Sequence, residues 1–113
     1  VGQKSLSEQD FEREADATLH ALEASLSEVA DVEVELSAGI LTLEFGDGTR
    51  FVVNSHRAAR EIWMAADLRA WHFGFQPPAN RWVAARSGDE LWTTVESVVA
   101  QKLRRSLTLR PPL

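Results

Sequence analysis

Apolar residues fall at Phe11, Ala15, Leu19, Leu22, Leu26 and Val29, in steps of 4, 4, 3, 4 and 3. This spacing keeps them on one helical stripe and predicts a first helix over Glu8–Val29. Ser7 is placed to cap it, with Asp10 in the first turn and Leu6 and Phe11 at the two positions of a hydrophobic staple. The period then changes to two. Val32, Val34 and Leu36 alternate with Asp31, Glu33 and Glu35, the pattern of a half-buried strand. Ser37-Ala38-Gly39 turns the chain into a second strand with Leu41, Leu43 and Phe45 on one face. Asp47-Gly48 signals a hairpin into a third strand, Arg50–Asn54.

Further strands are expected at Glu61–Ala66, Trp71–Gln76 and Arg81–Ala85, with a proline-bearing loop over residues 76–80. Ser87 and Glu90 have the spacing of a capping box, with Ser87 as cap of a second helix. That helix turns Leu91, Trp92, Val95, Val98, Val99 and Leu103 inward, and Lys102, Arg104 and Arg105 suit its C-terminal dipole. Leu107 and Leu109 alternate in a short tail before Pro111-Pro112. The order helix, consecutive antiparallel strands, helix predicts an α+β sandwich, with two helices packed on one face of an antiparallel sheet. The other face is left open to solvent or partners.

A chain of 113 residues is expected to form one domain over residues 1–113, with its core within about 7–109. It is large enough to bury a core without a staple. Without cysteine it has no thiolate metal site, disulfide or cysteine catalysis, which suits a reducing compartment. No apolar run of about twenty residues is present, so no membrane partner is expected. No basic-then-apolar leader is read at the start of the chain.

Charge is unevenly spread. Residues 1–47 hold twelve acids and two bases, −10, whereas residues 48–113 hold five acids and ten bases, +5. Such segregation makes the acidic part a candidate field for cations or a basic partner, and argues against nucleic acid, whose phosphates it would repel. Within it, Glu12, Asp16, His20 and Glu23 step by 4, 4 and 3 and share a helical stripe beside the apolar one. Glu28 and Asp31 lie near the helix end, and Glu33 and Glu35 continue along the first strand. With Glu8 in the first turn, these nine residues are the candidate metal ligands. Carboxylates are hard ligands that suit iron, and equally Mn²⁺, Ca²⁺ or Mg²⁺, and on an exposed ridge they bind weakly. Spacing alone does not separate such a site from an acidic stripe that solvates an amphipathic helix. His72, between Trp71 and Phe73, is read as a packed or edge residue, His56 lies in a loop, and Trp82 and Trp92 are read as packing residues.

Between Gly39 and Trp92 the chain carries Gly-Ile-Leu-Thr-Leu-Glu-Phe-Gly-Asp-Gly (39–48), Phe-Val-Val-Asn (51–54), Glu-Ile-Trp-Met-Ala (61–65), Trp-His-Phe (71–73), Arg-Trp (81–82) and Ser-Gly-Asp-Glu-Leu-Trp (87–92). In this order and spacing the segments resemble the frataxin family, over roughly residues 7–109. The resemblance implies an iron-binding accessory of iron–sulfur cluster assembly that holds Fe²⁺/Fe³⁺ weakly and exchangeably. It implies docking on a cysteine desulfurase and its scaffold protein, through Asn54 and Trp63 on the open sheet face. It implies a monomer, with iron-dependent oligomers as an extension, and at most weak ferroxidase activity rather than a dedicated enzyme. A bacterial cytoplasmic protein is expected, with the mitochondrial matrix as the alternative. The chain departs from the family pattern at His56 and Ala58, where glutamine and proline are usual, at Glu61 for glutamine, at Gly74 for aspartate, and at Ala24 and Ser27, often acidic. The competing function is an acidic interaction module in which metal is incidental.

Overall fold

A computed structural model describes residues 6–77 and 79–112. Residues 1–5, on which the reading of a leader partly rests, and Pro78 of the predicted loop lie outside them. The chain runs α1 (Glu8–Leu26), β1 (Val32–Ser37), β2 (Ile40–Phe45), β3 (Arg50–His56), β4 (Glu61–Ala66), β5 (Arg69–Gln76), β6 (Arg81–Ala84) and α2 (Leu91–Leu103). The six strands form an antiparallel meander in sequence order. Both helices pack on one face of it, as the periodicity predicts.

α1 begins as expected. Ser7 Oγ accepts the Asp10 backbone N–H at 3.0 Å, and Leu6 packs against the core. Its end comes earlier than the apolar stripe suggests. The helix stops at Leu26, and Val29 reaches the core from a turn that closes through its N–H to the Leu26 carbonyl. Asp31, at φ 72°, then sends the chain into β1. An apolar residue at helical spacing is thus satisfied by a turn that happens to return it to the same side.

The start of α2 differs from the predicted capping box. Ser87-Gly88-Asp89 folds back on β6: Gly88 donates to the Ala84 carbonyl at 2.7 Å and Ala84 donates to the Asp89 carbonyl at 2.8 Å. Glu90, not Ser87, is therefore the N-cap, and its carboxylate accepts the N–H groups of Trp92 and Thr93. Ser87 Oγ instead accepts the Asp89 N–H. The β4–β5 connection is also tighter than expected. Ala66 pairs with Arg69 across a two-residue turn, Asp67-Leu68, with both φ values positive, 54° and 64°. Such turns usually carry Asn-Gly, so this one was not visible in the sequence.

Phe11, Leu19, Leu22 and Leu26 from α1, Leu41, Leu43, Val53, Ile62 and Phe73 from the sheet, and Leu91, Val95 and Val99 from α2 form the buried core. Trp82 lies in it, edge-on to Phe11 and Phe75, with its indole N–H donating to Thr18 on α1 at 3.0 Å. Trp92 is half-buried against the core, in keeping with a packing role. The tail after α2 has no regular structure, yet Leu109 is buried and its N–H donates to Glu96. No helix among the described residues is long and apolar enough to cross a membrane.

Candidate functional site

Strand parity divides the sheet into two faces. Leu41, Leu43, Phe51, Val53, Ile62 and Met64 point under the helices and are buried. Their neighbours in sequence point the other way, onto a face that no helix covers. Register aligns Ile40, Asn54, Trp63 and His72 in one cross-strand row on that open face. Ile40 is 47% exposed, unusual for its size. Both residues expected to face partners, Asn54 and Trp63, therefore sit opposite one another.

Trp63 is half-buried by its neighbours on this face. The His56 ring stacks on one side at 3.7 Å between centroids and 16° between planes, and His72 on the other at 4.2 Å and 14°. The indole N–H donates to Glu61 at 2.8 Å. His56 Nδ1 accepts the Ala59 N–H at 3.3 Å, which fixes the ring at the end of β3. His56, expected in a loop, ends β3, and His72, expected as a packed or edge residue, is exposed beside Trp63. The register was the missing signal: once Asn54 pairs with Trp63, residue 56 must share their face and residue 72 must adjoin Trp63. Trp71 has the opposite parity and is buried, its indole N–H on Asp89.

The candidate metal ligands occupy two surfaces. Glu8, Glu12, Asp16, His20, Glu23 and Glu28 lie on α1 or just beyond it. Glu33 and Glu35 alternate with Val32, Val34 and Leu36, which pack against the core, so the two glutamates project from the open face. There Glu33 pairs in register with Glu44, a like-charge neighbour that Arg50 approaches at 3.7 Å. The helix acids and strand acids thus flank the β1 edge from opposite sides.

Several of these acids already have cationic partners. Arg57, in the β3–β4 turn, lies 2.7 Å from Glu12 and 3.7 Å from Glu8. Arg105 lies 2.9 Å from Asp31. His20 Nδ1 is 2.9 Å from the Asp16 carbonyl oxygen and 3.5 Å from its carboxylate. Glu23, Glu28, Glu33 and Glu35 make no ion pair among the described residues. Nor do three or more His, Asp or Glu side chains gather as a metal cage among the described residues. The acids are spread along the helix and the strand as open, solvent-facing carboxylates. Such sites hold a hard cation weakly.

One acid outside this set is strongly perturbed. Lys102 Nζ lies 2.6 Å from Asp47 at the β2–β3 turn, and its hydrogen bond, with those from Thr49, holds the Asp47 carboxyl far below the usual carboxylate range. It ties α2 to a hairpin, a structural role.

Comparison with known proteins follows the same lines. The family profile described as "Frataxin-like domain" matches residues 4–105. The chain is 37% identical over 109 residues to the iron-sulfur cluster assembly protein CyaY of Ralstonia nicotianae, covering 92% of this chain and 95% of that protein. The solved structure of frataxin from Psychromonas ingrahamii superposes with a TM-score of 0.85 at 23% identity, over 94% of this chain and all of that one. Trimeric yeast frataxin complexed with ferrous iron superposes with a TM-score of 0.64 at 26% identity, over 92% of each chain.

Proposed function

Since the chain belongs to the frataxin-like family, we propose that it serves iron–sulfur cluster assembly as a binding accessory rather than a dedicated enzyme. Carboxylates flanking the β1 edge take Fe²⁺ as transient cargo. The open sheet face docks the cysteine desulfurase and its scaffold protein. The observation that carries this reading is Trp63, a large aromatic set on an uncovered face in a row with Ile40, Asn54 and His72. Aromatic side chains that remain partly wet on a rigid sheet are common anchors for partners. CyaY relatives bear the name of iron–sulfur cluster assembly proteins, and a yeast frataxin has been seen with ferrous iron. Both support the reading.

Open carboxylates on an exposed edge suit uptake and release. They lack the enclosed pocket that separates an acid from a base, so any Fe²⁺ oxidation is slow and incidental. The bacterial cytoplasm is the proposed compartment, with the mitochondrial matrix as the alternative. The working form is a monomer, with assembly driven by iron. Neither nucleic acid nor membrane is a partner. The test is capture of the purified desulfurase–scaffold complex by wild type and by Trp63→Ala. Loss of capture with the variant supports the anchor role, and equal capture removes it.

A second reading has its own support. Arg57 and Arg105 occupy Glu8, Glu12 and Asp31, which leaves less of the ridge free for metal. The acids then act as an electrostatic surface for a basic partner. Anaerobic Fe²⁺ titration followed by NMR separates the two. Shifts confined to residues 8–35 favour the metal reading, and none at millimolar iron favours the electrostatic one.

A further inference from the structure

The sheet leaves half of one strand without a neighbour. β5 spans Arg69–Gln76, but β6 pairs only with Phe73–Gln76. Arg69–His72 are bonded to β4 on one side, and among the described residues no backbone hydrogen bond joins them to the turn that follows β6. In an antiparallel strand alternate residues direct N–H and C=O to opposite sides, so this stretch offers unpaired donors and acceptors outward. A pocket of about 320 Å³ opens against it, lined in part by Arg69, Trp71, His72, Arg86, Ser87 and Asp89.

The pocket is cationic in a chain of net charge −5. The Arg69 guanidinium lies over the Trp71 ring, 4.5 Å from its centroid, which restrains it beside the free edge. Arg86 approaches from the turn after β6. Neither arginine makes an ion pair among the described residues. The carboxylate in the pocket, Asp89, accepts the Trp71 indole N–H at 3.1 Å. Leu68, wholly exposed at 106%, stands at the entrance to the same edge. Native sheets blunt a free edge with charge. Here Arg69 and Arg86 outnumber the single carboxylate of Asp89, which already accepts from Trp71, so the edge disfavours basic strands and admits acidic ones.

We propose that the Arg69–His72 edge docks an extended acidic segment of a partner protein by strand addition, its carboxylates meeting Arg69 and Arg86. About four residues pair, a span of roughly 13 Å. The backbone supplies the attachment and the arginines the choice of sequence. This interaction uses the sheet edge rather than the Trp63 face, and stands whether or not that face docks the desulfurase complex.

The test uses a fluorescein-labelled octapeptide alternating glutamate with threonine, titrated by anisotropy at low ionic strength. A peptide of the same charge with prolines in place of the threonines is the control. Saturable binding is expected, with NMR shifts centred on residues 69–72, and weaker binding of the proline peptide. The exposed double variant Arg69→Gln/Arg86→Gln, its fold checked by circular dichroism, should bind roughly two- to thirtyfold more weakly. Equal binding of the two peptides would reduce the edge to a point-charge surface and overturn the proposal. Equal binding by wild type and double variant, shifts elsewhere, or no binding at all would do the same. The acidic β1 edge of a second copy, with Glu33 and Glu35, is the rival occupant. Concentration-dependent self-association in sedimentation velocity, abolished by the double variant, would assign the edge to that copy instead.

Discussion

Removing Arg57 should strengthen cation binding at the start of α1. Its guanidinium lies 2.7 Å from Glu12 and 3.7 Å from Glu8, with side chains 68%, 47% and 55% exposed for Arg57, Glu12 and Glu8. An ion pair this wet contributes about 0.2–1 kcal/mol. A divalent cation that takes the two carboxylates must first displace the arginine, so it gives up that amount. Arg57→Ala lifts this competition, and Fe²⁺ affinity at this end should rise about 1.4- to 5-fold. Global stability should change by no more than about 1 kcal/mol, because the pair is solvated. Anaerobic calorimetry at matched ionic strength measures the affinity, and NMR locates it. The gain must disappear when Glu12→Gln is added to the Arg57→Ala background. An unchanged affinity, or a gain that survives Glu12→Gln, would refute the competition.

Three further outcomes follow from the packing and the turns. Leu22, fully buried under the sheet, should cost about 2–5 kcal/mol when cut to alanine, read by urea unfolding. Leu68 holds a positive φ of 64° with its side chain in solvent, so Leu68→Gly should raise stability by up to about 1 kcal/mol in thermal unfolding. The Asp47 carboxyl is held low chiefly by the hydrogen bond from Lys102. A depressed acid stabilises the fold fully above the ordinary carboxylate range, near pH 4, and progressively less as pH falls below it. The advantage of wild type over Asp47→Asn should therefore be constant near neutrality and fade in acid, as measured by denaturant midpoints across pH.

The helices and strands were legible because their faces are half-buried and the period of apolar residues reports burial directly. Glu61–Ala66 was read to the residue because Ile62, Met64 and Ala66 face the core while both ends meet turns. Features set by backbone geometry were less visible. Glu90 displaced Ser87 as the α2 cap because the 87–89 turn returns to Ala84, a tertiary event with no local signature. The acids on α1 and β1 were all identifiable as charges. As a charge pattern they read as one ridge, and their division between two faces follows from the strict alternation of Glu33 and Glu35 with Val32, Val34 and Leu36. Arg57 and Arg105 come from distant parts of the chain, so their pairing with Glu12 and Asp31 could not be read from local spacing.

Trp63 and Trp82 show why the open sheet face can be tested separately from the fold. Trp82 is 2% exposed, meets Phe11 and Phe75 edge-on, and donates its N–H to Thr18 across the helix–sheet interface. Trp82→Ala should therefore remove about 3–5 kcal/mol, a large share of the roughly 5–15 kcal/mol that holds a domain together. Trp63 lies on the uncovered face, stacked between His56 and His72 with its N–H on Glu61 and Asn54 opposite it. Losing two surface stacks should cost about 1–3 kcal/mol, leaving a folded protein whose binding can be measured. Urea unfolding of the two alanine variants side by side checks this ordering. Comparable destabilisation by both would mean that Trp63 braces the sheet, and a lost interaction in Trp63→Ala would then report unfolding rather than a missing contact.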